Sequence, residues 1–481
     1  MDRLGLKKIL LVRPFYGINV HADMHGDIGI SDHQPQIFPD LTFIQAATIA
    51  AQAPDVDLEI IEGNLERLLP REIIERIRRR FDVIILKTAG PTIQCDLEFA
   101  REIKKRFPDT ELVLAGQAAA LVRTWIEHNM PEIDAVAAVP MDDFVCRLLH
   151  DANDVSINDY PTPDFSLFNY ESFRDLDGVL RGSLFTSRGC AVGCSYCPYP
   201  RFFGNRVLFR DLDRVMEDME TLLSLGIEKI FFRDQYFTIN PKRTEKLCRM
   251  ILARGWKFKW RCETRLESLS PKLINLMVEA GMDMVCFGVE SDDKRSLSSF
   301  HRPAVNEKKL KQLIQHLHKR NVFTLAFYII GFPDDTWDGI RGTFELALRV
   351  GSNAAKFSVY SPCTPEVFPF TEMKPEHFDP FDNTMNVNPC RHLSKKEVTS
   401  LVNYLNNLYH TETIKRYSSP DYNYIKAVHD YHLVHQNTFR ELVRDLRERV
   451  LGGDIFTISS PPEPAEETAD HEMARTSEII L

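Results

Sequence analysis

Residues 190–197 read CAVGCSYC, with Cys190, Cys194 and Cys197 spaced Cys-x3-Cys-x2-Cys and Tyr196 immediately before the last thiol. Thiolates are the usual ligands of iron–sulfur clusters, and a [4Fe-4S] cube held by three of them keeps one iron open. An open position is what separates a catalytic metal centre from a structural one. The plainer readings are a structural zinc site or buried thiols. A structural zinc site would need a fourth ligand nearby, and no histidine lies between Ser183 and Lys229. The cluster reading leads.

Around that loop, from Ser183 to about Glu366, short apolar runs alternate with helical stretches. Leu184–Thr186, Lys229–Arg233, Lys257–Arg261, Met284–Gly288, Thr324–Ile330 and Ala355–Tyr360 are the expected strands. Six such units suit an open, partial TIM-like (β/α)6 barrel over 183–375, with the cysteine loop after its first strand. Chemistry in such barrels gathers at the carboxyl-terminal rim.

The stretch before it, 1–150, has the same alternation. Ile9–Val12, Leu58–Ile61, Val83–Lys87, Leu112–Ala115 and Ala135–Val139 read as strands. Phe43–Ala51, Arg71–Arg80, Leu97–Arg106 and Ala118–His128 read as helices. The fold class is therefore α/β, a Rossmann-like doubly wound sheet preceding the barrel, with ligands at the carboxyl ends of its strands. A domain that only packs or dimerises is the plainer alternative. Residues 151–182, with DYPTPD at 159–164, read as a linker. Residues 376–451 read as a helical cap, with Ser394–His410 and Thr438–Val450 amphipathic. The stretch 452–481 carries seven acids against one arginine and reads as a disordered acidic tail.

A length of 481 residues allows roughly three domains. A formal charge of -10 gives no general basic footprint, so no nucleic-acid partner is expected. Ten cysteines are too sparse for a disulfide framework, and a cluster needs reduced thiols, so the expected compartment is the cytoplasm. Arg13 and Pro14 end the first apolar run too early for a signal peptide. The longest uncharged apolar run, Val322 to Phe332, falls short of the about 18 residues of a membrane span, so no membrane partner is expected.

On these motifs, residues 183 to about 366 resemble the radical S-adenosylmethionine (SAM) superfamily, whose Cys-x3-Cys-x-aromatic-Cys pattern is filled in order by Cys190, Cys194, Tyr196 and Cys197. The resemblance implies a [4Fe-4S] cluster whose fourth iron binds SAM, and one-electron cleavage of SAM to a 5′-deoxyadenosyl radical. FFRDQYFT (231–238) looks like the family's second-strand segment, which would set Asp234 near the amino group of SAM. CETRLESLSPKLINLMVEAGMDMVCFGVES (262–291) is similar to a stretch of radical methylases, which implies that Arg265 and Glu290 face polar parts of SAM. Taken alone, Arg265 has Glu263 or Glu267 as a partner, and Glu290 has the following helix to cap. GFPDDT (331–336) resembles the loop after strand five, with Gly331 beside the cofactor. SPCTPE (361–366) departs from the family's Pro-Gly-Thr and places Cys363 near the rim; a thiol packing as a small hydrophobe is the plainer reading.

The N-terminal domain is similar to the cobalamin-binding domain of the B12-dependent class. AGQAAA (115–120) and VPMDDF (139–144) depart from that class's Gly-Gly and Gly-Glu-x-Glu turns. The resemblance implies cobalamin near Thr88, Gly116 and Gln117, on rims left open by small residues. The function it implies is cobalamin-dependent C-methylation of an unactivated carbon in a small metabolite, natural-product or peptide-derived substrate, with flavodoxin or ferredoxin as reductant. A cyclase, rearrangement or oxidation enzyme without methyl transfer is the first alternative. A methylthiotransferase is disfavoured because only Cys95 and Cys146 precede the cluster motif. An iron–sulfur scaffold would not need Arg265, Glu290 and Gly331.

Overall fold

The computed structural model describes residues 7–17, 19–21, 30–32, 38–150, 156–174, 178–361, 370–379, 385, 387 and 390–418. They fall into two compact units: 1–283 with 300–302 and 361–387, and 284–299 with 303–360 and the chain from 388. The division runs through the stretch read as one barrel, not through 151–182. The segment expected to be a linker packs within the first unit. Gln45 Nε2 donates to the Pro161 carbonyl at 2.9 Å, and the Asp164 N–H donates to the Thr48 hydroxyl at 2.8 Å. Farther along, Thr162 Oγ1 donates to Asp218 at 2.7 Å.

The first unit opens with β1 (Lys7–Arg13), a short antiparallel pair β2 (Asn19–His21) and β3 (Ile30–Asp32), then β4 (Val56–Glu62), β5 (Val83–Lys87), β6 (Glu111–Ala115) and β7 (Ala135–Val136). The main sheet is parallel in the order β4-β1-β5-β6-β7. Leaving out the antiparallel pair, this is the doubly wound order 2-1-3-4-5, whose ligand crevice opens where the winding reverses, between β1 and β5. Ile9, Leu10, Leu11 and Val12 are all fully buried, as a parallel strand covered on both faces requires. Asp40 starts the helix Leu41–Gln52 by accepting the Phe43 N–H at 3.0 Å. The expected helix 118–128 breaks at Val122 into Gln117–Leu121 and Arg123–Asn129, and the one at 71–80 stops at Arg76.

The second sheet takes its six strands in chain order: β8 (Arg181–Leu184), β11 (Lys229–Phe232), β12 (Lys259–Thr264), β13 (Met282–Glu290), β14 (Phe323–Ile330) and β15 (Ala354–Val359). Within the first unit β8, β11 and β12 pair in parallel, and within the second β13, β14 and β15 do. This is the open β/α barrel expected. The first strand lies earlier than the apolar pattern indicated, because Gly182 is part of it: a Cβ there would meet Ile227 Cδ1 at 2.9 Å. Residues 187–188 instead form β9, antiparallel to β10 (Leu208–Phe209).

In the second unit, helix Lys395–Ser418 covers the expected Ser394–His410. Ser394 and Glu397 bond reciprocally, the Ser394 N–H to Glu397 at 2.7 Å and the Glu397 N–H to Ser394 Oγ at 3.2 Å, a capping box. From this helix Asn406 bonds both ways to the backbone of Phe357 in β15, accepting its N–H at 2.8 Å and donating to its carbonyl at 2.9 Å. The expected helix 438–450, the tail from 452 and Cys363 lie outside the described residues. No helix among the described residues is long and apolar enough to cross a membrane.

Gly116 follows β6 with φ +121°, and a Cβ there would sit 2.5 Å from the Thr88 carbonyl oxygen. Left-handed strain and a clash with backbone leave no easy relief, so Gly116→Ala is expected to cost about 2 kcal/mol or more. Thermal unfolding of the variant checks this; an unchanged midpoint would contradict the packing.

Candidate functional site

The cysteine loop follows β9 and has no regular structure across the three thiols, so its shape comes from outside contacts. Gly189 enters it at φ +85°, where a Cβ would lie 2.4 Å from the Arg206 carbonyl oxygen, and its N–H donates to Gln235 Oε1 at 2.7 Å. The Cys197 N–H closes a turn on the Cys194 carbonyl at 3.1 Å, and the Ser195 N–H donates to the Phe300 carbonyl at 2.9 Å. Tyr196 meets the Phe300 ring edge-on at 6.0 Å. Cys194 is buried, and Cys190 and Cys197 are half-buried. Burial pushes the Cys190 thiol up, while a backbone bond from Val192 and the nearby Arg265 and Arg302 guanidiniums pull it down.

Among the described residues no three His, Cys, Asp or Glu side chains form a single-ion site. A cube takes one thiolate per iron, so its ligands stand around it instead of meeting at one point. The donor set fits a cubane: three thiols lie on one loop, and two guanidiniums near Cys190 work against the rise that burial imposes on its pKa.

Asp234 and Gln235, just past β11, hold the approach to this loop. Asp234 is 1% exposed; its oxygens accept the Thr186 N–H at 2.7 Å, the Thr186 hydroxyl at 2.6 Å and the Ser187 hydroxyl at 2.6 Å. Burial raises its pKa against those bonds. The expectation of Asp234 beside the amino group of SAM thus meets a carboxylate already engaged with its own chain. Arg265, directly after β12, donates to Glu267 at 3.1 Å.

In the second unit Glu290 ends β13 with φ +72° at a register shift in the β13–β14 ladder. A bulge re-aims a side chain. A left-handed non-glycine residue costs roughly 1–3 kcal/mol, and such strain clusters at functional sites. Helix Lys294–Ser299 takes its N-terminal bond from Asp293, which accepts the Arg295 N–H at 3.0 Å. Gly331 has φ +93°, with Val398 Cγ1 2.7 Å from where a Cβ would be. Asp335 fixes this turn by accepting the N–H groups of Gly331 at 2.8 Å and Phe332 at 3.0 Å. Burial pushes its own pKa up to about 6.

At the carboxyl edge of the first sheet the residues expected near cobalamin are buried. Thr88 and Gln117 are 1% and 5% exposed, and Thr88 Oγ1 donates to the Ala115 carbonyl at 3.0 Å. Ala115, Ala118 and Ala119 are fully buried, so their small size serves helix–sheet packing. The β1/β5 crevice is crossed instead by Tyr16, after β1, whose hydroxyl donates to Asp96 at 2.7 Å. Asp96 also accepts from Thr92 Oγ1 at 2.8 Å and the Ala89 N–H at 3.2 Å.

Sequence reading missed Gln235, Phe300, Arg302, Tyr16 and Asp96. The only signal for them was position: just past a strand end, within a turn or, for Asp96, in the first turn of the helix Ile93–Arg106.

Burial pushes Asp96 up to about 7 against its three hydrogen bonds. A carboxyl whose folded pKa exceeds its unfolded value of about 3.9 contributes stability that is complete below that value. That stability is lost as pH rises through the folded pKa. The thermal midpoint of the wild type relative to Asp96→Asn is therefore expected to fall between about pH 4 and about pH 8, a swing of at most a few kcal/mol. A pH-independent difference would contradict it.

Residues 184–347 match the family model described as the radical SAM superfamily. The chain is 29% identical over 208 residues to an uncharacterized methyltransferase of Pyrococcus horikoshii, covering 43% of this chain and 45% of that one. It is 23% identical over 353 residues to the anaerobic magnesium-protoporphyrin IX monomethyl ester cyclase of Cereibacter sphaeroides, covering 66% and 56%. It thus spans less than two thirds of these relatives. Among solved structures, the radical SAM methyltransferase TsrM of Kitasatospora setae, with cobalamin and a [4Fe-4S] cluster bound, matches at TM-score 0.60 and 17% identity, covering 75% and 77%. The cobalamin-dependent radical enzyme OxsB, with aqua-cobalamin and SAM bound, matches at 0.60 and 14%, covering 77% and 55%. On the motif, the strand order and these likenesses, residues 184–347 are a radical SAM domain, preceded in the chain by a doubly wound sheet domain.

Proposed function

We propose that this protein is a cobalamin-dependent radical SAM methyltransferase acting on an unactivated carbon of a small metabolite, natural-product or peptide-derived substrate. The observation that carries it is the order of the two domains: a 2-1-3-4-5 parallel sheet, then an open six-stranded barrel with Cys190, Cys194 and Cys197 after its first strand. In this reading the three thiolates hold the [4Fe-4S] cluster. Arg265 in the first unit, and Glu290 and Gly331 in the second, are assigned to SAM. When bound, cluster and SAM supply one-electron cleavage chemistry, and a corrinoid supplies the methyl carrier.

The protein's own part is positioning. Gln235 and Phe300 fix the loop backbone, Tyr196 packs on Phe300, and burial of Cys194 keeps water from one side of the cluster position. Asp234 holds the segment before the loop, so its effect on SAM is exerted through Thr186 and Ser187. Thr88, Gly116 and Gln117 are packed against their own chain at the rim of the first sheet.

The cyclase likeness, which spans more of this chain than the methyltransferase match quoted above, favours a second reading: radical ring closure or oxidation without methyl transfer. Reductant is supplied in either case by an electron carrier such as a flavodoxin or ferredoxin.

Anaerobic purification with cobalamin supplied is expected to give four irons and one corrinoid per chain, and reductant plus SAM to give 5′-deoxyadenosine. Alanine at Cys190, Cys194 or Cys197 should abolish both iron uptake and cleavage. With a true substrate, S-adenosylhomocysteine should accompany 5′-deoxyadenosine; 5′-deoxyadenosine alone would favour the second reading.

A further inference from the structure

Arg188 is the last residue of β9, two positions before Cys190, and nothing in the cysteine motif calls for it. Its backbone lies in the β9–β10 ladder opposite Leu208, while its side chain turns towards an acidic pair, Asp142 buried and Asp143 half-buried. Arg188 Nη2 donates to Asp142 Oδ2 and Nη1 to Asp143 Oδ1 at 3.4 Å; the Arg188 and Asp142 side chains are 3% and 0% exposed. Tyr160 donates its hydroxyl to the same Asp143 oxygen. The guanidinium also lies over two rings, Phe185 at 4.6 Å and Tyr160 at 5.3 Å. Both carboxylates begin helix Met141–His150, which follows β7 in the N-terminal sheet domain. A planar guanidinium with its donors in a fixed fork sets direction as well as charge, which a lysine ammonium would not.

We infer that Arg188 is a positioning residue that ties the entrance of the cysteine loop to the Asp142–Asp143 turn of the sheet domain, and so sets the cluster's environment from outside the barrel. This rests on the reading that Cys190, Cys194 and Cys197 hold a [4Fe-4S] cluster. The loop then has two independent holds. Asp234 and Gln235 grip Thr186, Ser187 and Gly189 from the end of β11, and Asp142 and Asp143 grip Arg188. Partners bonded directly to a metal ligand typically matter 10- to 100-fold for retention of the metal, and Arg188 acts one step further out, through the backbone that joins it to Cys190, which sets the lower end of that range as the expectation.

The test compares reconstituted full-length wild type with Arg188→Lys, Arg188→Met and the neutral double variant Asp142→Asn/Arg188→Met. The double variant leaves no uncompensated buried charge at Asp142, so it guards against simple misfolding. The readouts are iron release to a chelator, the electron paramagnetic resonance spectrum of the reduced cluster, and apoprotein thermal unfolding. Expected are release about tenfold faster or more and an altered resonance in the double variant, with Arg188→Lys intermediate. A double variant that folds and keeps wild-type release and resonance overturns the inference alone. Wild type that takes up no iron overturns the cluster reading and this inference with it.

Discussion

A loop that must present three sulfurs cannot satisfy its own backbone, because ligand spacing and regular hydrogen bonding compete for the same residues. Here the backbone is satisfied from elsewhere. The side-chain oxygen of Gln235 takes the Gly189 N–H, the Phe300 carbonyl takes the Ser195 N–H, and one internal turn joins Cys197 to Cys194. Everything that makes the site depends on that outsourcing. The parallel order of β8, β11 and β12 puts Asp234–Gln235 beside the end of β8, and the turn at 300–302 supplies Phe300 and Arg302. Remove those supports and the thiols remain while their arrangement goes.

Charge is handled in the same manner. Arg265 is held by Glu267, and Asp234 is buried against hydroxyls and an N–H. Buried ionisable groups that keep their partners are stiff, and stiffness is what a reactive centre needs from its surroundings. Beneath the first sheet's rim, Arg13 pairs with Asp40 and Glu62 at 2.9 Å each, closing off the end of β1 in the same way.

Much of this was legible in the sequence, for identifiable reasons. The cysteines are within eight positions of one another, so their chemistry is local and spacing alone reveals it. Strands such as Val83–Lys87 are apolar on both faces and bounded by turns, and the structure places that strand at the same residues. The first barrel strand was placed late because Arg181, Gly182 and Ser183 carry no apolar signal, yet pairing with β11 makes them a strand. Gln235 and Asp142 were illegible because each acts on a residue 46 positions away. The left-handed Glu290 was illegible for another reason: its backbone angle is imposed by a shift in pairing with β14, and no residue type announces that. The small residues of 115–120 are ambiguous in the sequence, since alanines that leave room for a ligand and alanines that let a helix lie close look the same.

An unclosed barrel has to deal with its last strand. β15 ends the sheet order, and such a strand offers a row of unsatisfied backbone groups to any passing chain. The carboxamide of Asn406 imitates a neighbouring strand for one residue, meeting both the N–H and the carbonyl of Phe357, and the Tyr409 hydroxyl donates to the Ser352 carbonyl at 2.9 Å nearby. The helix carrying them is therefore a guard against self-templated stacking of one molecule on another. Loss of that helix would bare the strand and cost the protein solubility.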